Sequence, residues 1–471
     1  MASPSPGNSI TFRIEVDGAR VSTAELAAVV AATGAEVTGF DTVESGHLGT
    51  VVDVTCNTAG SEHADRIREI LDSRAGLRVR NVSDRTFLMH LGGKLAVAPT
   101  VTLRNRDDLS RAYTPGVARI CRAIERNPDD ARHLTIKRNT VAVVTDGSAV
   151  LGLGDIGPAA ALPVMEGKAA LFKQFAGVDA WPVCLDTTET EQIIAIVKAI
   201  APGYGGVNLE DISAPRCFEI ERRLRAELDI PVFHDDQHGT AIVVLAALIN
   251  ALRVVEKKIG DARIVVSGVG AAGHAVIQLL HAQGARDIVA CNRHGAVHAG
   301  QSHEHGHLTW LAQNTNPAGR TGTLKEVLAG ADVFIGLSAP DLLDGADVAT
   351  MADGAVVMAL SNPDPEVSPA AAAEHAAVVA TGRSDFPNQI NNVLAFPGLF
   401  RGLLDAEAHE IDTPLLVAAA TAIADCVSAD ELTPDYIVPS VFDSRVAAAV
   451  ASDVKAAADR AGTRSAGGAR A

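Results

Sequence analysis

Three features of the 471-residue sequence predict an α/β protein with a Rossmann-type dinucleotide-binding domain, an α/β substrate domain and a small ferredoxin-like α+β domain ahead of them. A glycine triplet sits between a strand-like run and a helical one at ARIVVSGVGAAGHAVIQLL. From about residue 84 onward, short β-branched runs alternate with Ala-rich helical stretches, as in a buried parallel sheet. Before residue 84 the pattern is different: strand, helix, two strands, helix, strand.

Residues 1–9 are rich in Ser, Pro and Gly and are expected to be disordered. Residues 10–83 follow as one unit. SITFRIEV alternates as a strand, and STAELAAVVAATG has helical spacing that ends at Gly34. EVTGFDTVES and GTVVDVTCN read as strands, SEHADRIREILDSR as a helix and LRVRNVS as the closing strand. This βαββαβ order resembles an ACT regulatory domain, which implies a possible small-molecule effector; a structural appendage is the alternative. NTVAVVTD, DAWPVCLD, IPVFHDD, ARIVVSGVG, DIVACN, ADVFIGLS and GAVVMALSNP then supply the parallel strands. Residues 403–460 are mostly helical by pattern, and residues 461–471 are expected to be a flexible tail.

Length and charge narrow the classes. At about 100–200 residues per domain, the chain has room for several cores. Forty basic against 57 acidic residues leave a net charge of −17, which disfavours nucleic acid and anionic membranes as partners. The six cysteines form no CxxC pair, so neither a disulfide framework nor a zinc knuckle is indicated. MASPSPGNS lacks the basic and apolar regions of a signal peptide. The longest apolar run, Ala241 to Leu252, falls short of the ~18 residues a membrane span needs and is broken by Asn250. A cytoplasmic protein is expected.

The glycines Gly268, Gly270 and Gly273 allow a tight turn, close backbone approach to a pyrophosphate and close helix–strand packing. Ala271 and Ala272 would open the helix whose N–H groups face the phosphates. A purely structural turn is the alternative. A second match, Gly152-Leu-Gly154-Asp-Ile-Gly157, is followed by Pro158 and reads as a turn on the substrate side. About 20 residues past the first glycine, an acidic residue commonly meets the ribose 2′-hydroxyl. Here Asn292 is followed by Arg293, a pair that leans toward NADP over NAD because Arg can meet a 2′-phosphate. An indifferent basic loop is the bland reading.

Two acidic patches follow apolar strands: Glu210-Asp211 in NLEDI and Asp235-Asp236 in FHDDQHGT. Gathered carboxylates are costly without a cation, and oxygen ligands with no Cys or His favour Mg²⁺ or Mn²⁺. Solvated loop ends are the alternative. Lys168, in PVMEGKAALFK, could act as a base if desolvated beside a metal; most lysines are surface charges. Tyr113, one of three tyrosines, precedes a Thr-Pro-Gly turn and by itself would be a packing or capping group.

Taken together these residues resemble the malic enzyme family. Its segments occur in order: AYTPGVA (112–118), VVTDGSAVLGLGDIG (143–157), GK (167–168), NLEDI (208–212), FHDDQHGTA (233–241), GVGAAG (268–273), LSNPDPE (360–366) and FPNQINNVLAFPG (386–398). The match spans about 84–460, and the layout resembles the smaller bacterial type. The resemblance implies oxidative decarboxylation of L-malate to pyruvate and CO2 with NAD(P) and a divalent metal. It implies Glu210, Asp211 and Asp236 as metal ligands, Lys168 as the base and Asp235 as its tuner. Tyr113 would protonate C3 of enolpyruvate, Asn362 and Asn392 would contact substrate, and Asn362 would also border the cofactor. It further implies a discontinuous substrate domain (84–236 and 392–460) around a nucleotide domain (237–391), and homo-oligomers of two or more chains. Two departures stand out: Ser148 and Ala149 replace an arginine that larger members carry just after TDG, and Asn292 replaces the Asp of many NAD-using members.

The crowded His294, His298, His303, His305 and His307 read as a solvated loop rather than a metal site, and Cys291 as a small core residue. The competing functions are a non-decarboxylating malate dehydrogenase or malolactic-type enzyme, and a catalytically silent ACT-type sensor.

Overall fold

The computed structural model describes residues 4–46, 49–150, 152–301 and 306–462, arranged as two compact units, 1–96 and 97–471. Expectations that fall on residues 1–3, on His303 and His305 and on the tail 463–471 lie outside the described residues.

The first unit is an antiparallel sheet with two helices packed on it and a short third helix after its last strand. Its strands are β1 (Ser5–Val16), β2 (Glu36–Gly46), β3 (Gly49–Thr58) and β4 (Leu77–Asp84), ordered β2-β3-β1-β4. Alternation places Phe12, Ile14, Val52, Val54 and Cys56 in the core beneath the helices Thr23–Ala31 and Ser61–Ser73, which contribute Leu26, Val30, Ile67 and Leu71. Two expectations need correction. Residues 5–9 are not disordered: Ser5 and Ser9 pair with Thr58 and Asn57, and the Thr58 hydroxyl donates to the Asn8 carbonyl at 3.1 Å. Nor does this unit stop at residue 83. Asp84 caps a helix over Arg85–His90, and the Thr86 hydroxyl ties that helix to the Gly7 carbonyl at 2.8 Å.

The second unit holds two sheets. β5 (Thr140–Thr145), β6 (Asp179–Cys184), β7 (Gly206–Leu209) and β8 (Val232–His234) form a parallel sheet ordered β6-β5-β7-β8. β9 (Arg263–Ser267), β10 (Asp287–Asn292), β11 (Gly295–Ala296), β12 (Val333–Gly336), β13 (Val356–Ala359) and β14 (Val378–Thr381) form a sheet ordered β11-β10-β9-β12-β13-β14, parallel except for β11. β5, β12 and β13 are buried along their whole length, which is why they read as unbroken apolar runs.

The helix Thr240–Val254 is apolar on nearly all sides because it is a core helix. Asn250 is wholly buried within it, and its amide donates to the Ala424 and Ile437 carbonyls, both at 2.9 Å. The second glycine motif does lead into a helix, Gly157–Ala176, with Pro158 in its first turn where a missing N–H costs nothing.

Candidate active site

Parallel strands aim their C-terminal ends at one edge of a sheet, and the chemistry-bearing residues follow those ends. Glu210 and Asp211 come directly after β7, and Asp235 and Asp236 directly after β8. Asp235 opens a single π-helical turn, Asp235–Gly239, a deviation that often marks a working site. Asp211 adopts φ 54°, the left-handed region that a non-glycine residue occupies only when its surroundings hold it there. Its backbone N–H donates to Asp236 Oδ2 at 2.9 Å, joining the two loops.

Ligand oxygens of Glu210, Asp211 and Asp236 lie within 4.8 Å of one another. The helix Gly157–Ala176 brings Lys168 to the same place, buried, with Nζ 3.0 Å from Glu210 Oε1 and 2.5 Å from Asp235 Oδ2. Asn208 donates to Glu210 Oε2 at 2.8 Å, and Asn392 donates to Asp235 Oδ2 at 2.9 Å. The Phe396 ring lies beneath the Lys168 ammonium at 4.0 Å.

Burial pushes the Glu210 carboxyl well up, and Asp235, Asp236 and Asp211 add to this against the pull of Lys168. Burial likewise raises Asp236, with Asp235 contributing. Four carboxylates around one ammonium leave the pocket short of positive charge, and its donors are all hard oxygens, so the residues fit Mg²⁺ or Mn²⁺. Burial pulls the Lys168 pKa down, but Asp235 and Glu210 together outweigh that and hold it above the ordinary lysine value. Without a cation it is an ammonium, because both carboxylates stabilise its charge.

Tyr113 is not in this group. It caps the C-terminus of a short helix, Arg106–Ala112, and is 68% exposed. Asn362 follows β13 and donates only to the nearby Leu360 carbonyl, at 3.3 Å.

At the glycine turn, a Cβ on Gly268 would sit 2.6 Å from the Leu337 carbonyl oxygen, and one on Gly273 would sit 1.9 Å from that of Gly268. Gly268 also has φ 110°. Gly270, by contrast, would meet nothing within 4 Å, so the turn is open at that point and packed shut on either side. The helix Ala271–Ala282 starts there with Ala271 and Ala272. Asn292 closes β10, its Oδ1 accepting from the His294 N–H at 2.8 Å, while exposed Arg293 contacts the His294 ring at 3.1 Å.

Several groups escaped the sequence reading. Glu221, buried on the helix Arg216–Glu227, meets His238 at 2.8 Å and Gln237 at 3.1 Å, bracing the π-turn from behind. Arg216 pairs with fully buried Asp146 at 2.7 Å, and the Ser148 hydroxyl donates to the same carboxylate at 2.6 Å. Both Glu221 and Arg216 sit in a charged helix pattern that a surface helix shares, so nothing marked them out. His307 is not a loop residue: it lies on the helix Gly306–Asn314, its ring 4.9 Å from Phe218 and 5.8 Å from His274.

The malic enzyme N-terminal domain model matches residues 92–225, and the malic enzyme NAD binding domain model matches 237–459. An NAD-dependent malic enzyme from Geobacillus stearothermophilus is 56% identical over 96% of this chain and 95% of its own length. A bifunctional malic/malolactic enzyme from Bacillus subtilis is 53% identical over 78% of this chain and 90% of its own. The crystal structure of an NAD-dependent malic enzyme from Thermotoga maritima superposes with a TM-score of 0.76 at 46% identity, covering 79% of this chain and 99% of that one.

Proposed function

The chain belongs to the malic enzyme family and oxidatively decarboxylates malate with NAD(P), and from that premise we propose how its residues divide the work. The observation that carries the assignment is buried Lys168, held between Glu210 and Asp235 beside a converging set of carboxylate oxygens. Glu210, Asp211 and Asp236 would hold a divalent Mg²⁺ or Mn²⁺ ion. That ion supplies Lewis-acid polarisation, and NAD(P) supplies the hydride acceptor. Lys168, held in place by Glu210 and Asp235, is the residue that takes the C2 hydroxyl proton of L-malate. Asp235 orients Lys168 and is itself oriented by Asn392. Tyr113 delivers a proton to C3 after CO2 has left, giving pyruvate. Asn362 and Asn392 face the substrate, and Gly268, Gly270, Ala271, Ala272 and Gly273 receive the pyrophosphate.

At the ribose end, Asn292 has no negative charge to repel a 2′-phosphate and Arg293 is exposed beside it, which favours NADP. Arg293→Ala should then raise KM for NADP several-fold more than for NAD; equal changes would remove Arg293 from this role. Residues 10–83 form an ACT-like regulatory unit in this reading. A change in malate turnover on adding candidate effectors, such as free amino acids, would support it.

The deciding assay is reduced-nicotinamide formation from L-malate with Mn²⁺, run with NAD and NADP in parallel, with the keto acid identified. Pyruvate is expected, and free oxaloacetate would overturn the decarboxylating assignment. Lactate is the second reading, favoured by the name of the bifunctional malic/malolactic relative.

A further inference from the structure

Malate brings two negative charges to a site that is already acidic. The segments joining β5, β6, β7 and β8 to the helices after them are residues 146–156, 185–189, 210–215 and 235–239. They hold eight acidic residues and no lysine or arginine. Arg216, the first residue of the helix Arg216–Glu227, directly follows the third segment. Lys168 is already enclosed by Glu210 and Asp235. A dicarboxylate entering there needs a further cation, and Arg216 is the one these strand ends supply.

Hydrogen bonds tie Arg216 to the Glu210-Asp211 loop. β5 and β7 are neighbours in the sheet, and Arg216 Nη2 donates to Asp146 Oδ2 at 2.7 Å between the residues that follow them. Ser148 turns back on Asp146 Oδ1 through its N–H at 3.0 Å and its hydroxyl at 2.6 Å. The Ser213 N–H donates to the Ser148 hydroxyl, and the Ala149 N–H to the Asp211 carbonyl, both at 3.0 Å. Arg216 and Asp211 therefore belong to one hydrogen-bonded frame. Flanking Ile212 and Cys217 lie in the core cluster against which Ala271 of the glycine turn also packs. Arg216 is thus placed where the acidic centre and the nucleotide turn come together, the two parts that a hydride has to cross.

The pair with Asp146 is only half closed. Arg383, after β14, closes its fork on Asp385, with Nε and Nη2 reaching the two carboxylate oxygens at 2.9 and 2.7 Å. Arg216 gives Asp146 a single bond and leaves Nε buried without a partner. Its side chain stays 27% exposed, whereas that of Asp146 is wholly buried. A charge present only to balance Asp146 would close on both oxygens, as Arg383 does. Here Ser148 takes the second oxygen, and the open part of the guanidinium faces no other group of the protein.

We propose that Arg216 binds the C1 carboxylate of malate and that Asp146 and Ser148 aim it. The choice between the two carboxylates follows from the chemistry. The C4 carboxylate leaves as neutral CO2 and its charge passes to the enolate, so a cation fixed on it would stabilise the substrate more than the transition state. C1 keeps its charge from malate through to pyruvate, and an arginine can hold it throughout. The inference rests on the reading of the Lys168 centre as the malate site.

The test joins steady-state kinetics to calorimetric titration with pyruvate, which retains C1 and lacks C4, on the full-length protein. Arg216→Lys keeps a charge beside Asp146 without the fork, and Arg216→Gln removes the charge. KM for malate should rise about 10-fold in the first and about 100-fold in the second, the span for weakening or losing a charge-assisted hydrogen bond. Because the contact is uniform along the reaction, kcat should change less than about threefold, with KM for NAD(P) and Mn²⁺ within about twofold. The pyruvate dissociation constant should rise with the malate KM. A raised malate KM with unchanged pyruvate binding would overturn the assignment to C1. A rise confined to KM for NAD(P) would give Arg216 to the cofactor phosphates and overturn the inference, as would an unchanged malate KM in both variants. Should Arg216→Gln not fold, the double variant Asp146→Asn, Arg216→Gln, which removes both charges of the pair, replaces it. A wild-type protein that makes no pyruvate from malate would bring down the reading of the site itself, and the inference with it.

Discussion

Lys168 shows how one side chain can carry both structure and chemistry. Its ammonium is the one positive charge facing Glu210 and Asp235 in their hydrogen-bonded group, and all three are buried. Lys168→Ala should reduce malate oxidation by about 10³-fold, in the range for losing a general base, while NAD(P) still binds by fluorescence titration. It should also lower the melting temperature without metal, since unpairing a buried charge costs about 3–5 kcal/mol. Added Mn²⁺ should restore much of that stability; a melting point unmoved by substitution or metal would contradict this picture of the cluster. At this scale the sequence was informative wherever carboxylates stood together. Asp235 and Asp236 were visible as a pair after an apolar strand, and Glu210 and Asp211 likewise. Glu221 was not, because it lies 14 residues ahead of Asp235 on a helix whose Glu219, Arg222 and Glu227 are exposed. Only tertiary packing brings it to His238 and Gln237.

Two elements hold the site in shape, and each offers a test. The π-turn Asp235–Gly239 closes so tightly that a Cβ on Gly239 would lie 2.0 Å from Asp235 Oδ1. Gly239 has ordinary helical φ, so alanine suits its backbone and the cost falls on the Asp235 carboxylate. Gly239→Ala should therefore cut kcat by one to two orders of magnitude with little change in melting temperature; unchanged kcat would show that Asp235 need not sit where it does. The glycine-turn helix Ala271–Ala282 carries His274, packed among Phe218, His307 and Trp310 at 5.5, 5.8 and 5.3 Å. Burial, helped by His307 and His238, pushes His274 down to about 4 from 6.5. The unfolded chain then takes up this proton first as pH falls. The stability His274 contributes is whole above about pH 6.5 and is lost between about 6.5 and 4, amounting to about 2 kcal/mol by pH 5. In urea melts at pH 8 and pH 5, His274→Phe should lose less stability than wild type by about that amount; equal losses would place the acid sensitivity elsewhere. Element types were legible in the sheets because buried strands leave local marks, such as the β-branched run of β5. Boundaries were less so. Residues 5–9 look like a loose tail until their pairing with β3 supplies hydrogen bonds that composition cannot reveal.

At the scale of the molecule, the parallel sheet and the nucleotide-type sheet were both readable from alternating apolar runs and a glycine turn. The segment over residues 97–131 was not, because its helices Arg106–Ala112 and Val117–Arg126 bury none of their residues. Periodicity shows that a face is apolar without showing what it meets. The first unit raises the opposite question, since its core closes on itself through Phe12, Ile14, Leu26, Val54 and Ile67. The malic enzyme family models begin only at residue 92, and 79% of this chain suffices to cover 99% of the Thermotoga maritima enzyme. Folding of the second unit should therefore not depend on the first. A chain of residues 92–471 should unfold in a single cooperative transition and oxidise malate with kcat within about threefold of the full-length protein, a loss of well under 1 kcal/mol in activation free energy. Steady-state kinetics beside a calorimetric scan would decide it. An insoluble or inactive fragment would mean that residues 1–91 are part of the enzyme's scaffold. A fragment with normal kcat that has lost a response to an effector would assign those residues to regulation.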